Sequence, residues 1–282
     1  MIKKKNFVLK KMFNAKQAVA FLGIVPMFLL VSCHSDKDEY NNELTAFPSN
    51  VISTPILTSS FTDVVAESQS PINIEISKAI AFHSTDPIIH YGAVTLDSVV
   101  NNEGENLKVN VNNTDNANNY VTVNGKRYNL VNFHFHYNSE HTIDGKYSTM
   151  EIHFVNVAAD NSYAVISVLV DVGNGNASLQ NLFAQSPAVS NGITSSKAVF
   201  YITSLLPAEQ RQYYTYSGSL TTPNFGASSA LTNEGPVTWF VFKNKQQIST
   251  DQFNSYKLIY TEPNFRLVQP LNGRAVYVNA GS

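Results

Sequence analysis

From about residue 61 onward, the chain consists of short runs rich in Val, Ile, Phe and Tyr that are separated by Asn, Gly and Pro. β-Branched and aromatic residues favour extended backbone, whereas Asn, Gly and Pro favour turns. A chain with this pattern is expected to form many short strands and few helices. The clearest predicted strands are Leu107–Val111, Val121–Val123, Val131–His136, Glu151–Val157, Tyr163–Val170 and Val237–Phe242.

Helical signals are few and short. The candidate segments are Ser178–Gln185, parts of Ser195–Leu206, and Ser249–Tyr256 with Ser249 or Thr250 as its N-terminal cap. No internal repeat and no long Pro- or Ser-rich linker follows residue 60. The pattern predicts a mainly β (α+β) fold, with a single domain at residues 61–282 and a few short peripheral helices.

The first 32 residues contain six lysines and no acidic residue, and they end in an apolar run from Ala18 to Ser32. This run is shorter than the roughly 20 apolar residues of a membrane-spanning helix, and it contains Pro26. A basic start followed by a short apolar core is typical of a secretory signal, and an uncleaved N-terminal anchor helix is the alternative. Residues 1–32 are therefore predicted to be a signal peptide.

The apolar run stops at the only cysteine of the chain, and the segment Leu30-Val31-Ser32-Cys33 resembles the bacterial lipobox. In that family of signals the cysteine becomes the new N-terminus and carries lipid. The resemblance implies that Cys33 tethers the protein to a membrane through lipid chains. Residues 33–60 are polar and turn-rich and are predicted to be a flexible linker. We expect an exported bacterial lipoprotein, located in the periplasm or on the outer membrane or cell surface.

Charge and cysteine content exclude several classes of protein. Without residues 1–32 the chain has 13 basic and 21 acidic residues, a formal charge of −8. A nucleic-acid partner is not expected, because contacts to phosphates need a basic surface. The single cysteine excludes an intramolecular disulfide and a zinc site built from cysteines.

Histidines at alternating positions are the most informative chemical feature. In a strand, His134 and His136 project from one face and Phe133 and Phe135 from the other. The Asp144-Gly145 turn lets a following strand return antiparallel and bring His153 beside the first two rings. Three histidines and an open position are typical of catalytic zinc, whereas structural zinc has four protein ligands. Copper and nickel also accept imidazoles, and a His-x-His pair by itself is often incidental packing.

A carboxylate accompanies the third histidine. Glu151 lies two residues before His153 and therefore on the same face of a strand. It can accept the second N–H of that ring and so fix its tautomer, as carboxylates near metal sites do.

The stretch Asn132–Phe154 resembles the metal-binding segment of the α-class carbonic anhydrases. Further segments in the order of that family are Gln69–Ile74, Ser219–Pro223, Val237–Phe240, Asn264–Arg266 and Gln269–Arg274. The resemblance covers roughly residues 69–274. It implies a central, twisted, largely antiparallel sheet with zinc at the base of a conical cleft.

The resemblance also implies a reaction and the residues that carry it. His134, His136 and His153 would bind Zn²⁺, and zinc-bound hydroxide would convert CO2 reversibly to bicarbonate and a proton. Thr221 would donate its proton to Glu140 and accept a hydrogen bond from the hydroxide, which orients the hydroxide toward CO2. Without the resemblance, Glu140 and Thr221 would be read as an ordinary loop acid and turn threonine.

Other positions receive roles from the same resemblance. Thr222 matches a residue that contacts bicarbonate, and Asn132 takes the place of the usual Gln that supports the first zinc-binding histidine. His141 is expected to be a buried structural residue, and His83 and His90 are expected to be non-catalytic. The apolar wall that would hold CO2, which without the resemblance would be read as core, comprises Val155, Val165, Leu220, Val237 and Trp239.

Two departures from the family pattern affect the proton-transfer route and the cleft. Glu105 occupies the position where the family ordinarily has a proton-shuttle histidine after Gly, and Asn224–Glu234 is an apparent insertion near the cleft. Ordinary carboxylic acids titrate near pH 4, which suits proton transfer at neutral pH less well than imidazole does. We therefore expect slower or buffer-dependent proton release through Glu105, unless Glu105 is only a solvated loop residue. The alternative function is a weakly active, carbonic-anhydrase-like surface binding or adhesion module.

Overall fold

The computed structural model describes residues 68–222 and 236–281. The predicted signal peptide, Cys33, the linker, the first residues of the predicted domain and the Asn224–Glu234 insertion lie outside these ranges. The described strands are β1 Asn73–Ile74, β2 Ile80–Phe82, β3 Ile88–His90, β4 Ala93–Thr95, β5 Val99–Asn102, β6 Asn106–Asn110, β7 Tyr120–Val123, β8 Lys126–His136, β9 Thr142–Ile143, β10 Lys146–Tyr147, β11 Met150–Val157, β12 Tyr163–Val172, β13 Ile193–Thr194, β14 Val199–Tyr201, β15 Gln212–Gly218, β16 Val237–Phe242, β17 Gln246–Ile248 and β18 Tyr277–Ala280. The α-helices are α1 Asn113–Asn116, α2 Ala177–Phe183 and α3 Thr250–Lys257, and the 3₁₀ helices are Ile76–Lys78 and Ile202–Leu205.

A 13-stranded sheet organises the described part of the chain. Its main path runs in the order β13-β5-β6-β8-β11-β12-β16-β15-β18-β2. Most neighbouring strands are antiparallel, and the parallel pairs are β12 with β16, β12 with β17, and β18 with β2. The prediction of a mainly β fold with a largely antiparallel sheet and few short helices is confirmed.

The two faces of the sheet carry different side chains because residues alternate along each strand. On one face, Phe133, Phe135 and Phe154 join the larger apolar core, and the rings of Phe133 and Phe154 stack with centroids 5.8 Å apart. On the other face, Val155, Val165 and Trp239 belong to a smaller apolar cluster. The histidines of β8 and β11 share the face of this smaller cluster.

Two of the three predicted helical segments form α-helices close to the predicted bounds, Ala177–Phe183 and Thr250–Lys257. Helix α2 starts after Asn176, whose side chain caps it, and α3 starts after Ser249. Within Ser195–Leu206, where helix is predicted for part of the segment, Val199–Tyr201 forms β14 and pairs with β4. Val, Phe and Tyr favour the extended backbone, and only Ile202–Leu205 turns as a 3₁₀ helix. Across the described ranges, the longest helix has 8 residues, and none is long and apolar enough to cross a membrane.

Replacing Ser249 with Ala should lower the free energy of unfolding by about 1 kcal/mol. Ser249 and Gln252 form a reciprocal capping box, in which each side chain bonds the backbone of the other. Urea unfolding of the two proteins measures the difference. Ser255→Ala, which removes a hydroxyl bonded within the same helix to Asp251, is the control and should change stability by less than about 0.5 kcal/mol. Equal effects of the two substitutions would contradict the capping role.

Candidate metal centre

Strands β8 and β11 bring His134, His136 and His153 together. In their antiparallel register His153 lies opposite His134, and Glu151 lies opposite His136. Opposite residues of an antiparallel pair point to the same face, so all four side chains converge. Each histidine offers a ring nitrogen that lies within 4.8 Å of the nitrogens of the other two.

The second ring nitrogen of each histidine has a hydrogen-bond acceptor beside it. The three pairs are His134 Nδ1 with Asn132 Oδ1 at 2.9 Å, His136 Nδ1 with the backbone oxygen of Asn264 at 2.8 Å, and His153 Nε2 with Glu151 Oε1 at 2.7 Å. Each acceptor draws the ring proton to the nitrogen that faces it. The lone pairs are therefore left on Nε2 of His134, Nε2 of His136 and Nδ1 of His153, the atoms that would bind a metal ion.

The donor set fits a metal ion in burial and protonation. His136 Nε2 is buried and has no hydrogen-bond partner, which is costly unless another group takes its lone pair. Burial, followed by the neighbouring histidines and Lys108, holds the pKa of His134 well below its usual range. Burial also lowers the pKa of His153. Neutral imidazoles are the form that binds metal, and three of them suit zinc.

Glu151 is the buried centre of a hydrogen-bond network behind the histidines. Its Oε2 accepts from the backbone N–H groups of Glu140 and His141 at 2.7 and 2.8 Å. Its Oε1 accepts from Ser167 Oγ at 2.6 Å and lies 2.7 Å from a ring nitrogen of His141 and of His153. Burial alone would raise the pKa of Glu151, but the facing His141 and His153 outweigh burial and hold that pKa well below its usual range.

His141, Glu151 and His153 form a second group whose side chains could bind a metal ion. The atoms of this group that would bind it already make hydrogen bonds. His141 Nδ1 and His153 Nε2 both face Glu151, and His141 Nε2 lies 2.7 Å from the hydroxyl of Tyr216. His141 is fully buried. The structure therefore gives His141 the environment of a structural residue, as the sequence predicts.

Glu140 lies beside the open ring nitrogens. Its Oε1 accepts a hydrogen bond from the backbone N–H of Arg266 at 2.8 Å. Its Oε2 is buried without a hydrogen-bond partner, 3.6 Å from His136 Nε2 and 3.9 Å from His153 Nδ1. Thr221 is buried and lines the same cavity, but the predicted hydrogen bond from Thr221 does not reach Oε2 in this structure. Oε2 is the atom of Glu140 that is free to accept it.

The histidines lie at the bottom of a cleft with two adjoining lobes of about 690 and 620 Å³. The first lobe contains His136, Glu140 and Arg266, and the second contains His134 and His153. Residues that line both lobes are Glu103, Glu105, Asn106, Thr221 and Thr222. The predicted residues Glu105 and Thr222 thus lie in the cleft, and both are exposed to solvent.

One wall of the second lobe is apolar. Of the five predicted residues, Val155, Val165, Leu220 and Trp239 line it, together with Val131 and Val157, which the sequence did not single out. Val237 is not among the residues that line the described lobes, and its role in the wall stays a prediction. It is fully buried within the same apolar cluster, two residues before Trp239 on the same strand.

The sequence analysis gave no role to three residues that support the site. Ser167 lies directly opposite His153 in the pairing of β11 with β12, so a correct register would have identified it. Asn264 and Arg266 act through the backbone over separations of 128 and 126 residues, and the local pattern does not predict such contacts. His83 and His90 are exposed and do not line the cleft, and the ring of His90 stacks on Tyr120.

Comparison with known proteins identifies the family. A family model for eukaryotic-type carbonic anhydrases matches residues 58–280. The carbonic anhydrases of Pectobacterium atrosepticum and Neisseria gonorrhoeae are 33% and 32% identical over 74% of this chain and 79% and 77% of their own. The structure of the α-carbonic anhydrase of Thermovibrio ammonificans with sulfanilamide matches with a TM-score of 0.66 and 34% identity, over 75% of this chain and 87% of that one. The chain therefore belongs to the eukaryotic-type, or α-class, carbonic anhydrase family.

Proposed function

We propose that this protein is a zinc-dependent carbonic anhydrase that converts CO2 and water reversibly to bicarbonate and a proton. The observation that carries the proposal is the set of three imidazoles whose open nitrogens lie within 4.8 Å of one another, with the pKa values of His134 and His153 lowered by burial. Each is held by an acceptor on its other nitrogen. Membership of the carbonic anhydrase family supports CO2 as the substrate.

The ligands of the zinc ion would be His134 Nε2, His136 Nε2 and His153 Nδ1. When bound, zinc lowers the pKa of a coordinated water to about 7 and so supplies a nucleophile at neutral pH. Asn132, the backbone oxygen of Asn264 and Glu151 keep the three rings in the tautomers and orientations that this requires.

The apolar wall would hold CO2 beside the histidines. Val155, Val165 and Trp239 are buried and present apolar surface to the second lobe, which His134 and His153 also line. A small uncharged molecule gains by leaving water for such a surface. Binding on this wall would bring the carbon of CO2 close to the histidine cluster, and CO2 would need no charged side chain to hold it there.

Thr221 would orient the attacking water. Glu140 Oε2 is the unpaired acceptor beside it, and a hydroxyl that donates to a carboxylate can only accept at its oxygen. Thr221 would then accept a hydrogen bond from the attacking oxygen, so that a lone pair of that oxygen faces CO2. Thr222, also in the cleft, would contact the bicarbonate product, and Glu105 at the exposed mouth would relay the proton to solvent.

We also propose that the protein is exported and held at a membrane by lipid on Cys33. The support is the basic start, the short apolar run and the lipobox-like segment that ends at Cys33. Fractionation of cells that produce the full chain or its Cys33→Ser variant tests this proposal. Loss of membrane association in the variant is the expected result, and equal partition of the two chains would contradict the anchor.

His136→Ala should abolish both zinc binding and CO2 hydration, because it removes one of three ligands. Zinc content and stopped-flow CO2 hydration are measured on the same sample of the full chain. His83→Ala is the matched control, since His83 is exposed and does not line the cleft, and it should retain both properties. Stoichiometric zinc without hydration in the unmodified chain would instead favour the binding or adhesion module.

Glu151→Gln should weaken zinc binding about 10- to 100-fold. The amide can no longer accept from His153, His141 and Ser167 with a full negative charge, so the His153 ring is held less firmly. Competition with a chelator measures the affinity. Glu209→Gln, a change of the same type at an exposed residue, should leave it unchanged. Equal affinities of the two variants would overturn the role of Glu151.

Glu105→His should raise CO2 turnover several-fold in weak buffer and change it little in concentrated imidazole buffer. Imidazole titrates near neutral pH and transfers protons there more readily than a carboxylate, and position 105 lines both lobes. Stopped-flow rates over a series of buffer concentrations measure the effect, with Glu209→His as control. An unchanged rate in weak buffer would mean that protons leave by another route.

A further inference from the structure

The turn between β5 and β6 carries two carboxylates at the mouth of the cleft. Glu103 and Glu105 lie in this turn, are exposed to solvent and line both lobes. A backbone hydrogen bond of 2.9 Å from Glu105 N to Asn102 O closes the turn. Glu103 has a φ of 57°, a left-handed backbone that residues other than glycine seldom adopt. Such a turn keeps one conformation only where the surrounding structure holds it.

The loop of residues 186–192 holds the turn from outside the cleft. The side-chain oxygen of Asn191 accepts a hydrogen bond from the backbone N–H of Glu103 at 3.1 Å. Ser190 lies against Gly104, where an added β-carbon would be 3.5 Å from the Ser190 hydroxyl oxygen. The loop thus contacts the backbone of the turn and leaves its two carboxylates facing the cleft. Asn191 itself is not among the residues that line the lobes.

Asn101 ties the same loop to strand β5. Its backbone N–H donates to Gly192 O at 3.0 Å, and its backbone oxygen accepts from Asn191 N at 2.7 Å. Its side-chain amide donates to Pro187 O at 3.0 Å. Asn101 is only 2% exposed, and a hydrogen bond away from water is stronger than the same bond in water. The loop is therefore fixed to the strand two residues before Glu103.

Both ends of the 186–192 loop are anchored. The loop follows α2, whose apolar residues are buried in the main core, and it leads into β13, which pairs with β5. Ser186 Oγ lies 2.6 Å from the hydroxyl of Tyr260, and residues 261–263, which follow, line the first lobe. The loop therefore links two segments that line this lobe, the Glu103–Glu105 turn and the segment after Tyr260.

We propose that Asn191 and Asn101 are positioning residues for proton transfer, because they fix the turn that carries Glu105. Proton transfer requires donor and acceptor to lie within hydrogen-bond reach, directly or through water. A displacement of about 1 Å can slow a step about 100-fold. The inference rests on the proposed function, since it concerns the proton that CO2 hydration releases. It deepens that function by giving residues outside the cleft control over where the relay lies.

The test separates proton release from the chemical step. Stopped-flow CO2 hydration in weak buffer includes release of the proton to solvent. Exchange of ¹³C between CO2 and bicarbonate at chemical equilibrium, measured by NMR, requires no net proton release. Both are measured on the zinc-loaded full chain with Glu105→His, because an imidazole at this position titrates near neutral pH and relays protons more readily than a carboxylate.

In this background Asn191→Ala should lower the hydration rate in weak buffer about threefold or more and leave the ¹³C exchange unchanged. Concentrated imidazole buffer should restore the hydration rate, because the buffer then accepts the proton directly. Asn101→Ala, which removes the side-chain bond to Pro187, should act in the same direction. The matched control is Asn176→Ala, which removes an amide oxygen that accepts two backbone N–H groups at the start of α2. It should leave both rates unchanged.

The positioning role is overturned if Asn191→Ala behaves as Asn176→Ala does, or if hydration and ¹³C exchange fall together. It is also overturned if Glu105→His gives no gain in weak buffer, since position 105 would then lie off the proton route. Absence of any ¹³C exchange in the unmodified, zinc-loaded chain would overturn the proposed function instead.

Hydrogen–deuterium exchange of the Glu103 amide decides without turnover whether Asn191 holds the turn. This exchange should be about threefold or more faster in Asn191→Ala than in the unmodified chain, because the amide loses its acceptor. It should be unchanged in Asn176→Ala. Equal amide exchange in the two variants would overturn the contact on which the inference depends.

Discussion

The buried carboxylate of Glu151 is the interaction on which the rest of the site depends. A charge removed from water must be compensated by the groups around it, and Glu151 receives two backbone N–H groups, one hydroxyl and two imidazoles. These partners come from β11, β12 and the loop before β9. The same contacts therefore hold the loop that carries Glu140 and set the ring of His153. Removing the charge of Glu151 would therefore loosen both the loop that carries Glu140 and the ring of His153.

Register across the sheet turns this local network into two rows of side chains. One row runs from Lys108 through His134 and His153 to Ser167 over β6, β8, β11 and β12. The neighbouring row, on the same face, contains Asn132, Val155, Val165 and Trp239. Histidines and apolar wall thus lie side by side because consecutive same-face positions of a strand are only about 6.6 Å apart. A slip of one residue in β8 against β11 would turn the histidines into the core.

The sequence could predict the parts of this arrangement that depend on local alternation. A period of two residues places His134 and His136 on one face of a strand and Glu151 on the face of His153. The turn at Asp144-Gly145 predicts the antiparallel strand that brings His153 beside the first two histidines. Contacts made by irregular segments could not be derived in that way, and Asn264 and Arg266 reach the site from more than 120 residues away. The sequence could not say which part of Ser195–Leu206 is helical, because pairing with β4 makes Val199–Tyr201 a strand and leaves only Ile202–Leu205 as a 3₁₀ helix. The place of Val237 in the apolar wall rests on the resemblance alone, and the structure shows this residue fully buried.

The wall beside the histidines is apolar because strand alternation leaves Val155, Val165 and Trp239 on the histidine face, where they pack together and line the second lobe. A small uncharged molecule would gain by leaving water for that surface, whereas an anion would lose solvation there without a compensating partner. Under the proposed function, the same three side chains would therefore favour CO2 over bicarbonate at the position next to His134 and His153.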